Sequence, residues 1–361
     1  MTPSPLPLRA ACTALSWCAL LLSPGVVAAP TDLVPVEQVG AAYARPQQRI
    51  DVGGGRRINL HCMGSGHPTV VFESGLSDWS NTWALIQPAV ARATRACSYD
   101  RAGMGYSDPV DTTRTPAAVV EDLATLLDRA GIDEPVVLVG HSLGGFYAKL
   151  FAATHPGRVA GMVLVDPSEE RLGERVGPAL AARFGQPLVD TWQTENDAGI
   201  AALIARFRDC ARDARVQPLA EPRYRACTDP VRTALGAGIL AERRRLQAGA
   251  SYQDTQWREL ADSLYGRHPE ADARYARLFA GKAPLGALPL LVLTHGLWDM
   301  SEPTSELDFH AWRQAHALTA ALSTRGEQRI VPYSRHNLQV ENPGDVVDAI
   351  TQVLAQVRAQ R

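Results

Sequence analysis

Between residues 69 and 165 the chain alternates short, unbroken apolar runs with longer stretches whose apolar residues recur every three or four positions. The runs at 69–72, 135–140 and 159–165, bounded by Gly, Pro or Asp, predict strands buried on both faces, and 95–99 predicts another beside them. Around Gly53-Gly54-Gly55, the segments 48–52 and 56–62 predict a hairpin. A helix is expected over 116–130: Val119, Val120, Leu123, Leu126 and Leu127 share one face, Thr115 can cap it, and Gly131 stops it. Further helices are expected at 83–91 and at 143–154, the latter ended by His155-Pro156. After Asp166-Pro167 the strand rhythm stops. It resumes with strands at 289–294 and 328–332 and helices at 303–322 and 343–357. Strands alternating with helices of this length predict an α/β domain.

The interruption gives the chain its organisation. Residues 47–167 and 284–361 form two parts of one α/β unit, and the helical, Ala- and Arg-rich stretch 168–283 is inserted between them as a cap or lid. A polar, proline-containing lead-in covers 29–46, and 1–28 has the pattern of an export signal. In that segment Arg9 precedes an apolar core from Leu15 to Leu22, and Val26-Val27-Ala28 offers a small-residue cleavage site. The core is too short to span a bilayer, and Trp17 before Cys18 argues against a lipid-bearing cysteine. The expectation is a periplasmic or secreted protein with no stable membrane anchor after cleavage. A formal net charge of −2 gives no basic field for nucleic acid.

Chemistry first shows at Gly140-His141-Ser142-Leu143-Gly144, a Gly-x-Ser-x-Gly motif between a predicted apolar strand and a predicted helix. A turn that sharp forces the serine into a strained backbone conformation and brings neighbouring turns close, so only small residues fit two positions either side. It also presents the hydroxyl at a helix N-terminus, where free amides favour negative charge. Ser142 is therefore the candidate nucleophile. Cleavage of the leader leaves Cys62, Cys97, Cys210 and Cys227, an even set that favours disulfides in an exported protein. With no Cys-x-x-Cys pair and no histidines at ligand spacing, neither a metal nor an organic cofactor is implied.

Taken in order, Phe72-Glu73-Ser74-Gly75-Leu76, Tyr99-Asp100-Arg101-Ala102-Gly103, Gly140-His141-Ser142-Leu143-Gly144-Gly145, Leu291-Val292-Leu293-Thr294-His295-Gly296 and Ser334-Arg335-His336-Asn337 resemble the α/β-hydrolase superfamily. Within it the chain is most similar to bacterial serine esterases and proline-iminopeptidase-like members, with Glu73-Ser74-Gly75 where many relatives carry His-Gly. The resemblance covers both parts of the α/β unit but not the insert. It implies a mostly parallel, eight-stranded sheet flanked by helices. It also implies His336 as general base, since this residue lies between the last strand and the last helix, and an oxyanion hole from the Leu76 and Leu143 backbone N–H groups. For the acid, the family position after the penultimate strand is Asp299; Asp166 is the alternative used by some relatives, and Glu302 and Glu306 stand nearby. In the hydrolase sheet the strands carrying Cys62 and Cys97 are antiparallel neighbours, which implies a Cys62–Cys97 disulfide. The remaining pair, Cys210–Cys227, would close a loop within the cap.

Other polar residues are expected to be structural: His141 packs, His310 and His316 lie on the surface, and Asp100 pairs with turn amides or with Arg101. The expected activity is hydrolysis of a small-molecule carboxylic ester through an acyl-enzyme. An aminopeptidase or amidase of the proline-iminopeptidase type is the alternative, which would need a buried cap acid for the substrate amine; Glu195, Asp197 and Glu242 are available. A non-catalytic ligand-binding protein on the same fold is a third reading. Dehalogenase chemistry would need an aspartate in place of Ser142.

Overall fold

The computed structural model describes residues 33–266, 268–300 and 303–360. The expected leader, residues 1–28 with the expected cleavage at Ala28, and the candidate acid Glu302 lie outside the described residues. Eight strands form one sheet in the order β1-β2-β4-β3-β5-β6-β7-β8: β1 Gln48–Gly53, β2 Arg56–Met63, β3 Val70–Glu73, β4 Ala96–Tyr99, β5 Val136–His141, β6 Val159–Val165, β7 Leu290–His295 and β8 Gly326–Val331. The β1–β2 and β2–β4 pairs are antiparallel, and all others are parallel. The unbroken apolar runs follow from burial on both faces. Val71, Leu138, Leu164 and Val292 enter one core layer with the helices Pro116–Arg129 and Leu143–Thr154. Val70, Val137, Val163 and Leu291 enter the other with Pro343–Arg358.

Two elements differ from expectation. The lead-in contains a helix, Val36–Tyr43, whose Val36 and Tyr43 pack on Ala84, Leu235 and Ile239; only these distant partners make the segment apolar on one side. The helix expected at 83–91 is instead a 3-10 turn, Ser80–Trp83, and a single helical turn, Gln87–Val90, separated by residues 84–86, with Pro88 in the first positions of the second. By contrast the 116–130 helix has its expected ends, with the Thr115 hydroxyl accepting from the Ala118 N–H at 3.3 Å and Gly131 at φ +62°.

The stretch between β6 and β7 is helical, including Leu172–Phe184, Gln186–Val216, Gly236–Gln247, Ala250–Asp262 and Pro269–Leu278. Its apolar residues are divided among small clusters, one of them Cys210, Ala214, Leu219, Tyr224 and Cys227. Both disulfides are present: Cys62–Cys97 joins directly opposed residues of β2 and β4, and Cys210–Cys227 closes a sequence separation of 17 inside the small cluster. Replacing both Cys210 and Cys227 with alanine should therefore destabilise the protein by about 2–4 kcal/mol. The denaturant midpoint of the unreduced protein reads this, and an unchanged midpoint would contradict it.

Candidate active site

Strand β5 ends at His141, and the next residue is forced out of ordinary backbone space. Ser142 has φ +51° and ψ −122°, and the helix Leu143–Thr154 begins immediately after it. Crowding explains both glycines of the motif. A Cβ on Gly140 would lie 2.5 Å from the Gly144 carbonyl oxygen, and one on Gly144 would lie 2.4 Å from that of Glu73. The turn thus holds Ser142 at a helix N-terminus, where Leu143 is the first helical residue.

His336 lies in the loop after β8, and its Nδ1 is 2.6 Å from Asp166 Oδ2. Asp166, the residue after β6 and the alternative to Asp299 as the expected acid, is the carboxylate that the structure brings to the imidazole. The physical reason lies in the sheet: β6 and β7 are parallel neighbours with Val165 opposite Leu293, so their C-terminal ends reach the same edge. Asp166 turns back over that edge with φ +48°. Its carboxylate also accepts from the His295 backbone N–H at 3.0 Å, from Trp312 Nε1 at 3.0 Å and from His295 Nδ1 at 2.7 Å. Burial alone would raise the Asp166 pKa, but the hydrogen bonds from His295 and His336 hold it far below the ordinary carboxylate range. Asp166, His295 and His336 also bring ligand-type atoms within 4.8 Å of one another, a spacing set by the two imidazole bonds to Oδ2. Glu306 is exposed, near His310 and Arg183.

Ser142, His336 and Leu76 line one cavity of about 460 Å³. In this structure the Ser142 hydroxyl pairs with Ser168 Oγ at 3.4 Å. A neighbouring cavity of about 560 Å³ shares Ile200, Tyr265 and His336 with the first. His141 supports the arrangement from behind: its Nε2 is 2.9 Å from the His336 carbonyl oxygen and its Nδ1 is 3.2 Å from Gln339 Nε2. Burial, then the neighbouring His336, lowers its pKa to about 3, so it is neutral.

The loop after β3 is set by Arg101. This buried guanidinium donates to the carbonyls of Ser74 and Gly75, to Glu73 and, through two nitrogens, to Glu259 of the inserted helix Ala250–Asp262. A trans peptide points its C=O and N–H in opposite directions, so the Leu76 N–H faces away from Arg101. Glu73, the departure from His-Gly, thus has a structural task, and Tyr99 donates to its other oxygen. Asp100 takes the turn amides of Ser80 and Tyr106 and the Asn59 side chain, not Arg101. Exchanging Arg101 for methionine would leave two buried carboxylates without their cation. A loss of about 3–5 kcal/mol in urea unfolding is expected, and a loss below about 1 kcal/mol would contradict this account of the loop.

Sequence reasoning missed several neighbours. His316 is wholly buried, not on the surface, with Nδ1 2.8 Å from Thr294 Oγ1 and Nε2 2.9 Å from the Pro167 carbonyl oxygen, so it braces the Asp166 turn. Lys149 pins the following residues from the helix after Ser142, its Nζ donating to Glu169 at 2.7 Å and to Glu170. One signal for it was available: a lysine inside the apolar run Tyr147-Ala148-Lys149-Leu150-Phe151, in a chain with only two lysines.

A family model described as alpha/beta hydrolase fold matches residues 68–216, which hold β3 to β6, the serine turn and Asp166. The chain has the α/β-hydrolase fold. It is 29% identical to 2-hydroxy-6-oxo-2,4-heptadienoate hydrolase of Pseudomonas putida, over 61% of this chain and 78% of that protein. It is 37% identical to lipase LipV of Mycobacterium tuberculosis over 36% of this chain and 50% of the lipase. The chain spans 29%, 43% and 45% of the length of three other curated relatives. An esterase from Thermogutta terrifontis shares the fold at a TM-score of 0.53 and 20% identity, covering 87% of this chain and 99% of the esterase. A hydrolase, a lipase and an esterase are among these similar proteins, and the segment matched by the family model holds the strand ends that carry Ser142 and Asp166.

Proposed function

We propose that this chain is an exported serine hydrolase that cleaves carboxylic esters, with Ser142 as nucleophile, His336 as general base and Asp166 as the orienting acid. The observation that carries the reading is the 2.6 Å contact of His336 Nδ1 with Asp166, beside a strained Ser142 in the same cavity. With Nδ1–H held by the carboxylate, Nε2 is the unprotonated nitrogen and takes the Ser142 proton as Oγ attacks the ester carbonyl. The carbonyl oxygen becomes an oxyanion, stabilised by the N–H groups of Leu76 and Leu143. Collapse of this intermediate breaks the ester C–O bond, and His336 returns the proton to the leaving alcohol. Water then attacks the acyl-enzyme by the same route, freeing the acid and restoring Ser142. Strain stored at a functional turn is consistent with this use of Ser142.

Two disulfides support an oxidising compartment, and we infer a periplasmic or secreted location after removal of residues 1–28. The ester reading is preferred to the aminopeptidase one because the acids of the insert are exposed or already paired: Glu195 and Asp197 are exposed, Glu242 is bound to Tyr106 and Arg245, and Asp229, which lines the Ser142 cavity, is held by Arg232 at 3.1 Å. Assays with p-nitrophenyl esters of increasing acyl length, beside amino-acid p-nitroanilides, test this. Turnover of the esters well above the anilides is expected; the reverse order would support the aminopeptidase, and no turnover of either would support a binding protein.

A further inference from the structure

Ser168 holds Ser142 from two directions. Its backbone N–H donates to the Ser142 carbonyl at 2.9 Å, and its Oγ lies 3.4 Å from the Ser142 hydroxyl. Ser168 is wholly buried and stands two residues after Asp166. A single turn at the end of β6 therefore carries both the carboxylate on His336 and the hydroxyl on Ser142. The chain of hydroxyls continues: Ser168 Oγ is hydrogen-bonded to the Tyr265 hydroxyl, which also interacts with Ser142. Tyr265 belongs to the helical insert, just beyond the helix Ala250–Asp262, and lines both cavities.

Proton accounting gives this chain a direction. Each of the three hydroxyls has one proton to donate. For the Ser142 proton to be available to His336, Ser142 Oγ must act as acceptor toward its hydroxyl neighbours, which is met when Ser168 donates to Ser142 and Tyr265 donates to Ser168. The opposite direction, with Ser142 donating to Ser168, would withhold the proton from the base. Burial raises the Tyr265 pKa, so the phenol keeps its proton at neutral pH and can serve as the donor end.

We propose that Tyr265 and Ser168 form a hydroxyl relay that holds the Ser142 oxygen as an acceptor and leaves its proton for His336. The inference rests on the reading of Ser142 and His336 as nucleophile and base. Ser168 and Tyr265 are positioning residues in it: they act on the substrate through Ser142. The relay crosses from the sheet to the insert, so the placement of the insert bears directly on the competence of the nucleophile.

Tyr265→Phe, Ser168→Ala and the double variant test the relay, read by fluorophosphonate labelling rate and by kcat and KM on a p-nitrophenyl ester. Each single change is expected to lower labelling rate and kcat about tenfold, the loss of one hydrogen bond, with KM within about twofold of the parent. Because the two hydroxyls act as one chain, the double variant should lose no more than either single variant. A merely space-filling tyrosine would leave the labelling rate of Tyr265→Phe unchanged, since the ring is kept. That variant removes one oxygen only, so the test does not depend on the folding of Ser168→Ala. Variant labelling rates equal to the parent's, or losses that multiply to about a hundredfold in the double variant, would overturn the relay alone. A parent protein that neither labels nor turns over ester would overturn the nucleophile assignment, and the relay with it.

Discussion

Ser142→Ala should lower ester turnover about 10⁶-fold while the protein remains folded, because the change removes the attacking oxygen and little else. In the structure the Ser142 hydroxyl pairs with the Ser168 hydroxyl at 3.4 Å and interacts with that of Tyr265, so its loss leaves those two hydroxyls hydrogen-bonded to each other. Alanine inherits the same left-handed backbone at φ +51° that serine already tolerates, and the glycines that permit the turn are untouched. The measurement is kcat on a p-nitrophenyl ester beside a thermal melt of both proteins. An unchanged melt with the activity gone is the expected pair of results. Activity within about tenfold of the parent would remove Ser142 from the chemistry.

Asp166→Asn should be nearly as severe, at about 10⁴-fold in kcat, whereas Asp299→Asn should stay within about tenfold of the parent. The asparagine keeps the shape of the side chain. Its Oδ1 can still accept from the His295 backbone N–H and Trp312 Nε1, the two donors found there now. Its amide nitrogen would then face His336 Nδ1 with protons of its own. The imidazole would have to present an unprotonated Nδ1, which moves the proton to Nε2 and removes the base. A reversed ranking of the two variants would return the acid to the end of β7.

The choice between those two aspartates shows where the sequence stops being informative. Asp166 and Asp299 each follow an apolar strand, and β6 and β7 are hydrogen-bonded neighbours that end at one edge. What separates them is through-space: the left-handed turn at Asp166 and the donors His295 and Trp312, which come from the end of β7 and from the helix Pro303–Ala320. Apolar strands buried on both faces leave a local trace, and so does the serine turn, whose glycines are required by contacts within a few residues. The β2–β4 pairing that joins Cys62 to Cys97 needed the sheet order supplied by family resemblance.

Side chains whose partners lie far along the chain were the hardest to read. Arg101 meets Glu259 across a sequence separation of 158, and Ser168 meets Tyr265 across 97. The six-residue spacing of His316 from His310 is not helical stacking, which predicts a surface residue. Its burial comes from the Thr294 hydroxyl and the Pro167 carbonyl beneath it. The helix Val36–Tyr43 leaves little local trace for a similar reason, since its apolar face is matched by residues distant in sequence, among them Ala84, Leu235 and Ile239.

Covalent labelling by a fluorophosphonate, mapped by peptide mass spectrometry, is the most direct test of the central claim, because it needs no knowledge of the natural ester. The expected result is a single adduct on the peptide carrying Gly140-His141-Ser142-Leu143-Gly144, absent in Ser142→Ala and slowed strongly in His336→Ala. An adduct on any other residue, or an unlabelled protein that is folded by its thermal melt, would contradict the assignment of Ser142 as an activated nucleophile.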